Sequence, residues 1–533
     1  MKILSVHGIL SANGLFATVN KVFGSLVIEC LPPTLCARRS PPDLPGADRA
    51  PVVRRFTLLD HIRSFLTLCA MSTFCFLFVA SAVASNPVPT VTAPVHPQAV
   101  VPGRGGLNLT VYGANFVNGA VVNWNRSPRS TTFVSARELR VKILASDVVK
   151  PTAGYITVTN PAPGGGNSSS SYAIVEVHEP TSTIVPGPPH TYHLYDVIES
   201  LTPAPFHKED TFDLLAGGGS GRVYLFTGKG DGTFTNKVVG DGYYSVYNCN
   251  LPVGDFNNDG KLDYIFPVGQ FPNSAVVKVR LGNGKGSFRT SGKYGTFQTC
   301  PDIVVGDFNE DGKLDFATAD PADGVHIFLG NGDGTFRRAA TYGILGASNP
   351  VVADFNGDGK LDLLIESWSG ILLLLGNGDG TFQSPQTIFP TAEACGSGIP
   401  LIVNDFNGDG KLDLAFCSHD GKGKIGVLLG NGDGTFKKPV YYHAGNNYST
   451  WAFAAGDFNS DGKTDFIDWH ITNGVSGVFA ILLGNGDGTF QKETTVSLPD
   501  NIEDLAIVPG DFNSDGLLDF VMLNAGIQVY TQK

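Results

Sequence analysis

Charge is scarce in this chain: Asp, Glu, Lys and Arg together make up only 16% of its 533 residues. Basic residues are the scarcer sign, since residues 85–533 hold 29 Lys and Arg against 45 Asp and Glu, a net of −16. Such a surface repels phosphate backbones, so nucleic acid is excluded as a partner. Methionine is almost absent, at 3 residues. Recognisable catalytic patterns are missing as well. There is no Ser/His/Asp order and no zinc motif, and His326, His419, His443 and His470 fall at no regular spacing. The chain is therefore expected not to be an enzyme, with a polysaccharide lyase or hydrolase as the remaining enzymatic alternative. What is plentiful points elsewhere. Gly at 66 and Pro at 33 form about 19% of the chain, against roughly 12% in average usage, and Phe reaches 35. With 42% apolar residues disorder is excluded for most of the length. This composition describes short strands joined by tight turns and rules out a long helical protein.

Residues 54–84 read as an export signal. Arg54, Arg55 and Arg63 precede an uncharged run from Phe65 to Ala84, ending in Ala82-Val83-Ala84, a small-x-small site that a signal peptidase could cut before Ser85. The run is also long enough to anchor the chain in a bilayer uncleaved, and both readings stand. So deep a signal suggests a start near Val52 or Val53 and makes residues 1–84 a precursor region. No lipobox precedes Cys69 or Cys75. If the signal is cleaved the rest is secreted or displayed at the cell surface, without membrane insertion and as a monomer. Export gives meaning to Cys249, Cys300, Cys395 and Cys417, an even set in an oxidising compartment. Free buried thiols are the alternative.

From 87 to 178 short alternating runs are broken by Gly, Asn and Pro. Leu107, Leu109 and Val111 alternate with Asn108 and Thr110, as a half-buried strand requires. Further strands are expected at Ala120–Trp124, Glu138–Ile143, Tyr155–Thr159 and Tyr172–Val177, about seven in all, which predicts a two-sheet sandwich. The stretches LNLTVYGANFVNGAVVNWN and ITVTNPAPGGGNSSSSYAIVEV resemble the IPT/TIG family of immunoglobulin-like domains. That resemblance implies a spacer or binding module, with Trp124 in its core. Residues 179–190, EPTSTIVPGPPH, read as a Pro-rich, semi-rigid linker.

Residues 191–533 read as one further domain, in which self-similarity at about 50 residues dominates positions 208–533. One element, D-F-N-x-D-G-x-x-D, starts at Asp255, Asp307, Asp354, Asp405, Asp457 and Asp511; a second, G-x-G-x-G-[TS]-F, starts at Gly228, Gly282, Gly330, Gly376, Gly430 and Gly484. The apolar runs between them, such as Asp362–Ile365 and Gly370–Leu375, are too short for helices and are bounded by turn residues, so they read as strands. Seven such pairs can be counted, from Asp213–Ala216 with Arg222–Thr227 to Phe520–Asn524 with Gly526–Thr531. Seven units of about four strands predict an all-β fold, a seven-bladed β-propeller behind a small immunoglobulin-like β-sandwich. The last unit lacks an outer strand, which Tyr192–Glu199 is expected to supply. GDFNEDGKLDFA at 306–317 and FLGNGDGTF at 328–336 are similar to FG-GAP/VCBS repeats, the blades of integrin α-type propellers. The resemblance implies a calcium-binding propeller on an exported protein, used for adhesion or ligand binding.

The metal chemistry also follows from the residues. Three Asp and one Asn within nine positions repel one another unless a cation lies among them. The expected ligand positions, with the backbone carbonyl at the seventh, are Asp255, Asn257, Asp259, Lys261 and Asp263 in the first full motif and Asp307, Asn309, Asp311, Lys313 and Asp315 in the next. Asp354, Asn356, Asp358, Lys360 and Asp362 follow, then Asp405, Asn407, Asp409, Lys411 and Asp413. The last two sets are Asp457, Asn459, Asp461, Lys463 and Asp465, and Asp511, Asn513, Asp515, Leu517 and Asp519. Glycine at the sixth position permits the sharp turn. Hard oxygens with several carboxylates favour Ca²⁺ over Mg²⁺ and Zn²⁺. About six structural sites are expected, against the alternative of metal-free Asx-type turns. An earlier, degenerate loop has Pro205, His207 and Glu209 at the first, third and fifth positions and is expected to be empty. Phe256 and Phe336 read as packing between blades.

Blade topology places the acidic loops and glycine turns on one face. Binding is expected on the other, whose variable loops include Tyr243, Tyr244, Tyr247, Trp368, Tyr448, Trp451, Trp469 and His470. The same topology makes a Cys395–Cys417 bridge feasible and Cys249–Cys300 the natural second. The expected partner is an extracellular protein, a matrix component or a glycan, the last making the protein a lectin.

Overall fold

The computed structural model describes residues 85–533 except 169–172, 195, 207–211, 241–249, 270–274, 391–400, 419–423, 444–451, 473–475, 498–505, 525 and 533. The export segment lies outside them. Apart from a 3-10 turn at Ala145–Val148, every regular element among the described residues is a strand.

Two sheets come first. Thr90–His96, Asn108–Ala114, Glu138–Lys142 and Thr131–Ser135 form one in that spatial order, and Thr152–Asn160 with Ala173–Val177 and Val121–Trp124 beside it centres the other. Alternation in Asn108–Ala114 turns Leu109 and Val111 inward to meet Val122, Trp124, Leu139, Val141, Ile156 and Val175 in a single core. Trp124 lies in that core and leaves no room for a β-carbon at Gly154, 2.2 Å from its ring. Residues 179–190 do more than span a gap. Ile184 is buried in the core shared by the sixth and seventh sheets of the following part, and the N–H groups of Thr181 and Gly187 donate to the carbonyls of Asn459 and Thr531.

Among the described residues the rest of the chain forms seven four-stranded antiparallel sheets, giving a propeller-like fold. The first runs Ile198–Ala204, Asp213–Gly218, Val223–Gly228, Phe234–Gly240, and the third, Asp302–Gly306, Asp315–Asp320, Gly324–Gly330, Phe336–Tyr342, shows the same order of strands, innermost first. The seventh uses Ile507–Gly510, Asp519–Asn524 and Gly526–Tyr530, and its fourth strand is His190–His193, paired antiparallel with Gly526–Tyr530. The sequence places this strand at Tyr192–Glu199, several residues too late: Ile198 and Glu199 already belong to the innermost strand of the first sheet. The alternation His190-Thr191-Tyr192-His193 is short, and its partner is more than 330 residues away, so local pattern could not set the register.

Each sheet buries one face against the next. Leu215, Leu225, Tyr264 and Phe266 join the first two sheets. Ile198, Phe226, Val521 and Val529 join the seventh to the first, so the series of apolar interfaces closes on itself. Aromatic edges recur at the joints: Phe256 meets Phe336 at 5.8 Å, Phe308 meets Phe382 at 5.6 Å and Phe512 meets Phe234 at 5.9 Å between ring centres. Backbone bonds repeat with them. The N–H of Gly334 donates to the Phe256 carbonyl at 2.9 Å, Gly380 to Phe308 at 2.9 Å and Gly488 to Phe406 at 3.1 Å, while Gly232 donates to Phe512 at 3.0 Å across the closure. The motif phenylalanines therefore pack between sheets.

Acidic loops under the sandwich and a cavity opposite

Each acidic loop joins the first and second strands of its sheet, and each glycine turn joins the third and fourth. Gly260, with φ +79°, and its equivalents at the sixth loop position are left-handed, a conformation that β-carbons disfavour. The Asx chemistry is the same from loop to loop. Asp255 accepts the N–H groups of Asp259 at 3.0 Å and Gly260 at 2.7 Å; Asn257 Oδ1 accepts that of Asp259 at 3.1 Å; Asp259 Oδ1 accepts that of Lys261 at 3.0 Å. The set recurs at Asp307, Asn309 and Asp311, at Asp405, Asn407 and Asp409, at Asp457, Asn459 and Asp461 and at Asp511, Asn513 and Asp515. At Asp354 one of the donors is Gly357. The lysine side chains at the seventh position turn back onto the fifth: Lys261, Lys313, Lys411 and Lys463 pair with the Asp two residues before at 3.0, 3.1, 3.7 and 3.2 Å.

The ninth position works differently. Asp263 is fully buried and accepts the N–H of Phe256 at 2.9 Å on one oxygen and that of Gly282 at 2.7 Å on the other. Asp315, Asp362 and Asp413 repeat this bridge from loop to glycine turn. Asp519, which has no glycine turn after it, takes the N–H of Gln532 instead. Asp213 retains the bond to Gly228 although its loop is degenerate.

Burial pushes these carboxyls up. Asp263, Asp362 and Asp413 rise to about 7, Asp315 and Asp519 to about 8, and Asp465 rises well above the carboxylate range. The first-position acids Asp307, Asp457 and Asp511 also reach about 7 through burial. Asp405 is the exception: burial raises it, but the His96 ring and the Gly410 N–H outweigh burial and hold it below its ordinary value. Among the described residues no three His, Cys, Asp or Glu side chains close on one point tightly enough to hold an ion; the carboxylates are spread over backbone N–H groups. The donors are nonetheless hard oxygens, and burial is the main cause of their raised affinity for protons, with the neighbouring acids adding to it.

The sandwich lies on this face, a contact with no repeat or motif in the sequence to announce it. Val88 N–H donates to Asp307 Oδ2 at 2.8 Å, Gln98 Nε2 to Thr464 Oγ1 at 3.1 Å, and the Tyr155 hydroxyl to the Asp511 carbonyl at 3.2 Å. His96 Nε2 stands 3.3 Å from Asp405 Oδ2 and Arg137 Nε 2.9 Å from Asp354 Oδ2. The second is an ion-pair approach, and neither nitrogen is aligned for a hydrogen bond.

At the other face, the starts of the innermost strands surround a cavity of about 310 Å³, lined by Glu199, Asn250, Asp302, Asn349, Leu401 and Phe453 among others. Asp302 accepts the N–H of Asn349 at 2.9 Å, and the Asn349 amide donates to Glu366 at 2.7 Å. Burial raises Glu199 and Glu366 to about 7 and Asp302 to about 6. Of the aromatics expected on this face, Trp368 is 70% exposed at the hairpin between Ser367 and Gly370. Its backbone N–H donates to the carbonyl of Leu345, also exposed, and its ring lies across Gly346. Trp469 is a correction. It sits within Asp465–Thr472, fully buried against Phe479, because the sixth sheet extends its second strand past the point where a loop is expected. His470 is in the same strand, and Tyr243, Tyr244, Tyr247, Tyr448 and Trp451 lie outside the described residues. Cys300 and Cys417 are each disulfide-bonded; Cys249 and Cys395 also lie outside the described residues.

Comparison with known proteins bears on the repeats. Cartilage acidic protein 1 of Xenopus tropicalis is 29% identical over 107 residues, 19% of this chain and 16% of that protein, so the chain spans only a small part of this curated relative. Among solved structures, an Agrocybe aegerita lectin that recognises non-reducing terminal N-acetylglucosamine aligns over 71% of this chain and 96% of its own, at 18% identity and a TM-score of 0.41. An auxiliary nutrient-binding protein of Bacteroides ovatus aligns over 84% and 98%, at 12% identity and a TM-score of 0.37. The model of the FG-GAP-like repeat matches residues 211–266, 307–365, 354–416, 405–467 and 468–522. These segments span just over half of the chain and coincide with the sheets that carry the acidic loops, so the chain belongs to the FG-GAP-like repeat family.

Proposed function

We propose that this chain is an exported, calcium-stabilised, non-enzymatic binding protein: a seven-bladed propeller, preceded by an IPT/TIG-type immunoglobulin-like domain, that presents its ligand surface on the face opposite the acidic loops. One observation carries the choice of face. The sandwich covers the acidic-loop side through contacts at the loops of Asp307, Asp354, Asp405, Asp457 and Asp511, the fourth by Glu176 with Ser460, which leaves the other face to meet a partner. The cavity of about 310 Å³ opens there, with amides and carboxylates beside an apolar wall of Leu401 and Phe453. Trp368 and Leu345 add an exposed apolar pair beyond it, a combination suited to the anchor of a protein interface.

Calcium fits the donor chemistry of the loops: hard oxygens in number, no His or Cys in the nine-residue motif, and a turn of the required sharpness. Held by residues such as Asp255, Asn257, Asp259 and Asp263, it would supply positive charge to carboxyls that burial otherwise drives toward protonation. Export is supported by the bonded state of Cys300 and Cys417. An extracellular protein or matrix component is the leading ligand. A glycan is the second reading, favoured by the exposed indole of Trp368, which suits stacking on a sugar face.

Binding of the purified protein to glycan and matrix-protein panels, with wild type beside Trp368→Ala and Asp302→Asn, tests the proposal. Saturable binding weakened by these substitutions supports it, and saturation by sugars alone selects the lectin reading. Binding indifferent to both substitutions and lost on disrupting the sandwich would place the ligand elsewhere.

A further inference from the structure

The six acidic loops are nearly identical in sequence, yet what the sandwich sets opposite them differs from loop to loop. At Asp255 a cavity of about 360 Å³ separates the loop from the sandwich residues Asn123 and Arg126. At Asp307 the contact is a backbone N–H, and at Asp511 a tyrosine hydroxyl on a carbonyl oxygen. At Asp354 it is a permanent cation. Arg137 Nε lies 2.9 Å from Asp354 Oδ2, and a β-carbon on Gly357 would lie 2.6 Å from the guanidinium. Arginine keeps its charge at any pH the fold survives, so the first ligand of this loop already has its counter-ion.

The loop at Asp457 receives the opposite. Glu176, 2% exposed on the strand Ala173–Val177, points its carboxylate at the loop, where the Ser460 hydroxyl donates to it. This adds an acid to Asp457, Asp461 and Asp465. Lys463 Nζ, 3.2 Å from Asp461, offsets one of the four. Asp465 also departs from the other ninth-position acids. It is fully buried, Gly484 N–H donates to its Oδ1 at 2.8 Å, and its Oδ2 makes no well-aligned hydrogen bond, the Asn459 backbone N–H being the further donor turned toward this carboxylate. In the neighbouring sheets that oxygen accepts the loop phenylalanine N–H, as Asp413 does from Phe406 at 2.9 Å. A buried carboxylate among further carboxylates is neutralised by a proton or by a cation.

We propose that the sandwich makes the loops unequal: at Asp354 the Arg137 guanidinium takes the place of a divalent cation, and at Asp457 the Glu176 carboxylate completes a cation site shared by sandwich and propeller. The inference rests on reading the acidic loops as calcium sites. Calcium would then lock the sandwich to the sixth sheet, while Arg137 fastens it to the fourth without metal.

The test counts ions. The full protein, stripped with chelator, is titrated with calcium chloride calorimetrically, and bound calcium is measured after gel filtration. Arg137→Gln should bind one more ion than wild type, and Arg137→Lys should match wild type. Glu176→Gln should weaken the tightest class of site at least tenfold. Circular dichroism checks that each variant is folded. A folded Arg137→Gln that gains no ion overturns the proposal while leaving calcium binding intact; absence of calcium from every form removes both readings together. A measurement on the unaltered protein stands behind the variants. Added calcium should slow backbone hydrogen exchange across 457–465 and leave 354–362 unchanged. Equal slowing in the two loops contradicts the assignment.

Discussion

Replacing Asp315 with Ala separates two roles that its motif confounds. The side chain is fully buried, and its two oxygens accept the N–H groups of Phe308 at 2.9 Å and Gly330 at 2.8 Å. It thereby ties the acidic loop to the glycine turn of the same sheet. Alanine leaves both donors buried and unpaired, at about 1–3 kcal/mol each, or about 2–6 kcal/mol together. Some of this is returned because burial of the acid is itself unfavourable, raising it to about 8. A net loss of about 3 kcal/mol is expected. Asp315→Asn keeps one carbonyl acceptor and should lose about half as much. Urea unfolding of wild type and both variants, in chelator and in calcium, reads the two roles apart. Loss in chelator measures the backbone bridge, and additional loss in calcium measures the metal. A loss below about 1 kcal/mol in chelator would show that the carboxylate does not act as a structural bridge.

Three further outcomes are expected. Glu366 is raised to about 7 by burial, against the Asn349 hydrogen bond and with help from Asp302. Its folded-state pKa lies above the unfolded one, so its stabilising effect is full below about pH 4.5 and lost as pH rises through about 7; Glu366→Gln should gain on wild type by up to about 3 kcal/mol across that range, and a pH-independent difference would contradict this. Trp469→Ala should cost about 3–5 kcal/mol in denaturant unfolding, whereas Trp368→Ala should change stability by less than about 0.5 kcal/mol and weaken ligand binding. Gly346→Ala combines a φ of +75° with a β-carbon 2.1 Å from Trp368, so it should move that indole, visibly in its fluorescence, with little change in circular dichroism.

The repeat made the propeller part legible because its strands are bounded by residues with fixed physical duties. Asp263 and Gly282 mark where strands start and stop in one sheet, and Asp362 and Gly376 do so two sheets on. The phenylalanine joints were legible for the same reason. Where the repeat lapses, reading failed. His190–His193 has no motif beside it, and its register depends on Gly526–Tyr530 at the far end of the chain. Trp469 was read as loop because the sixth sheet has the longest second strand of the seven, Asp465–Thr472. The docking of the sandwich left no trace in the pattern. His96, Arg137 and Glu176 are single residues on ordinary strands or turns, and each becomes informative only beside an acid more than 200 positions away. On the face opposite, the cavity is lined by Asn250, Asp302 and Asn349, which lie at the starts of three different sheets, and none belongs to a motif.

Calcium dependence of thermal unfolding tests the central claim most directly. Sites with Kd on the order of 10⁻⁴–10⁻³ M suit an extracellular scaffold, and free calcium about thirtyfold above Kd adds about 2 kcal/mol for each filled site. The account predicts a saturable rise in melting temperature as calcium replaces chelator, reversed by renewed chelation. An identical melting temperature in chelator and in about 10 mM calcium would contradict it.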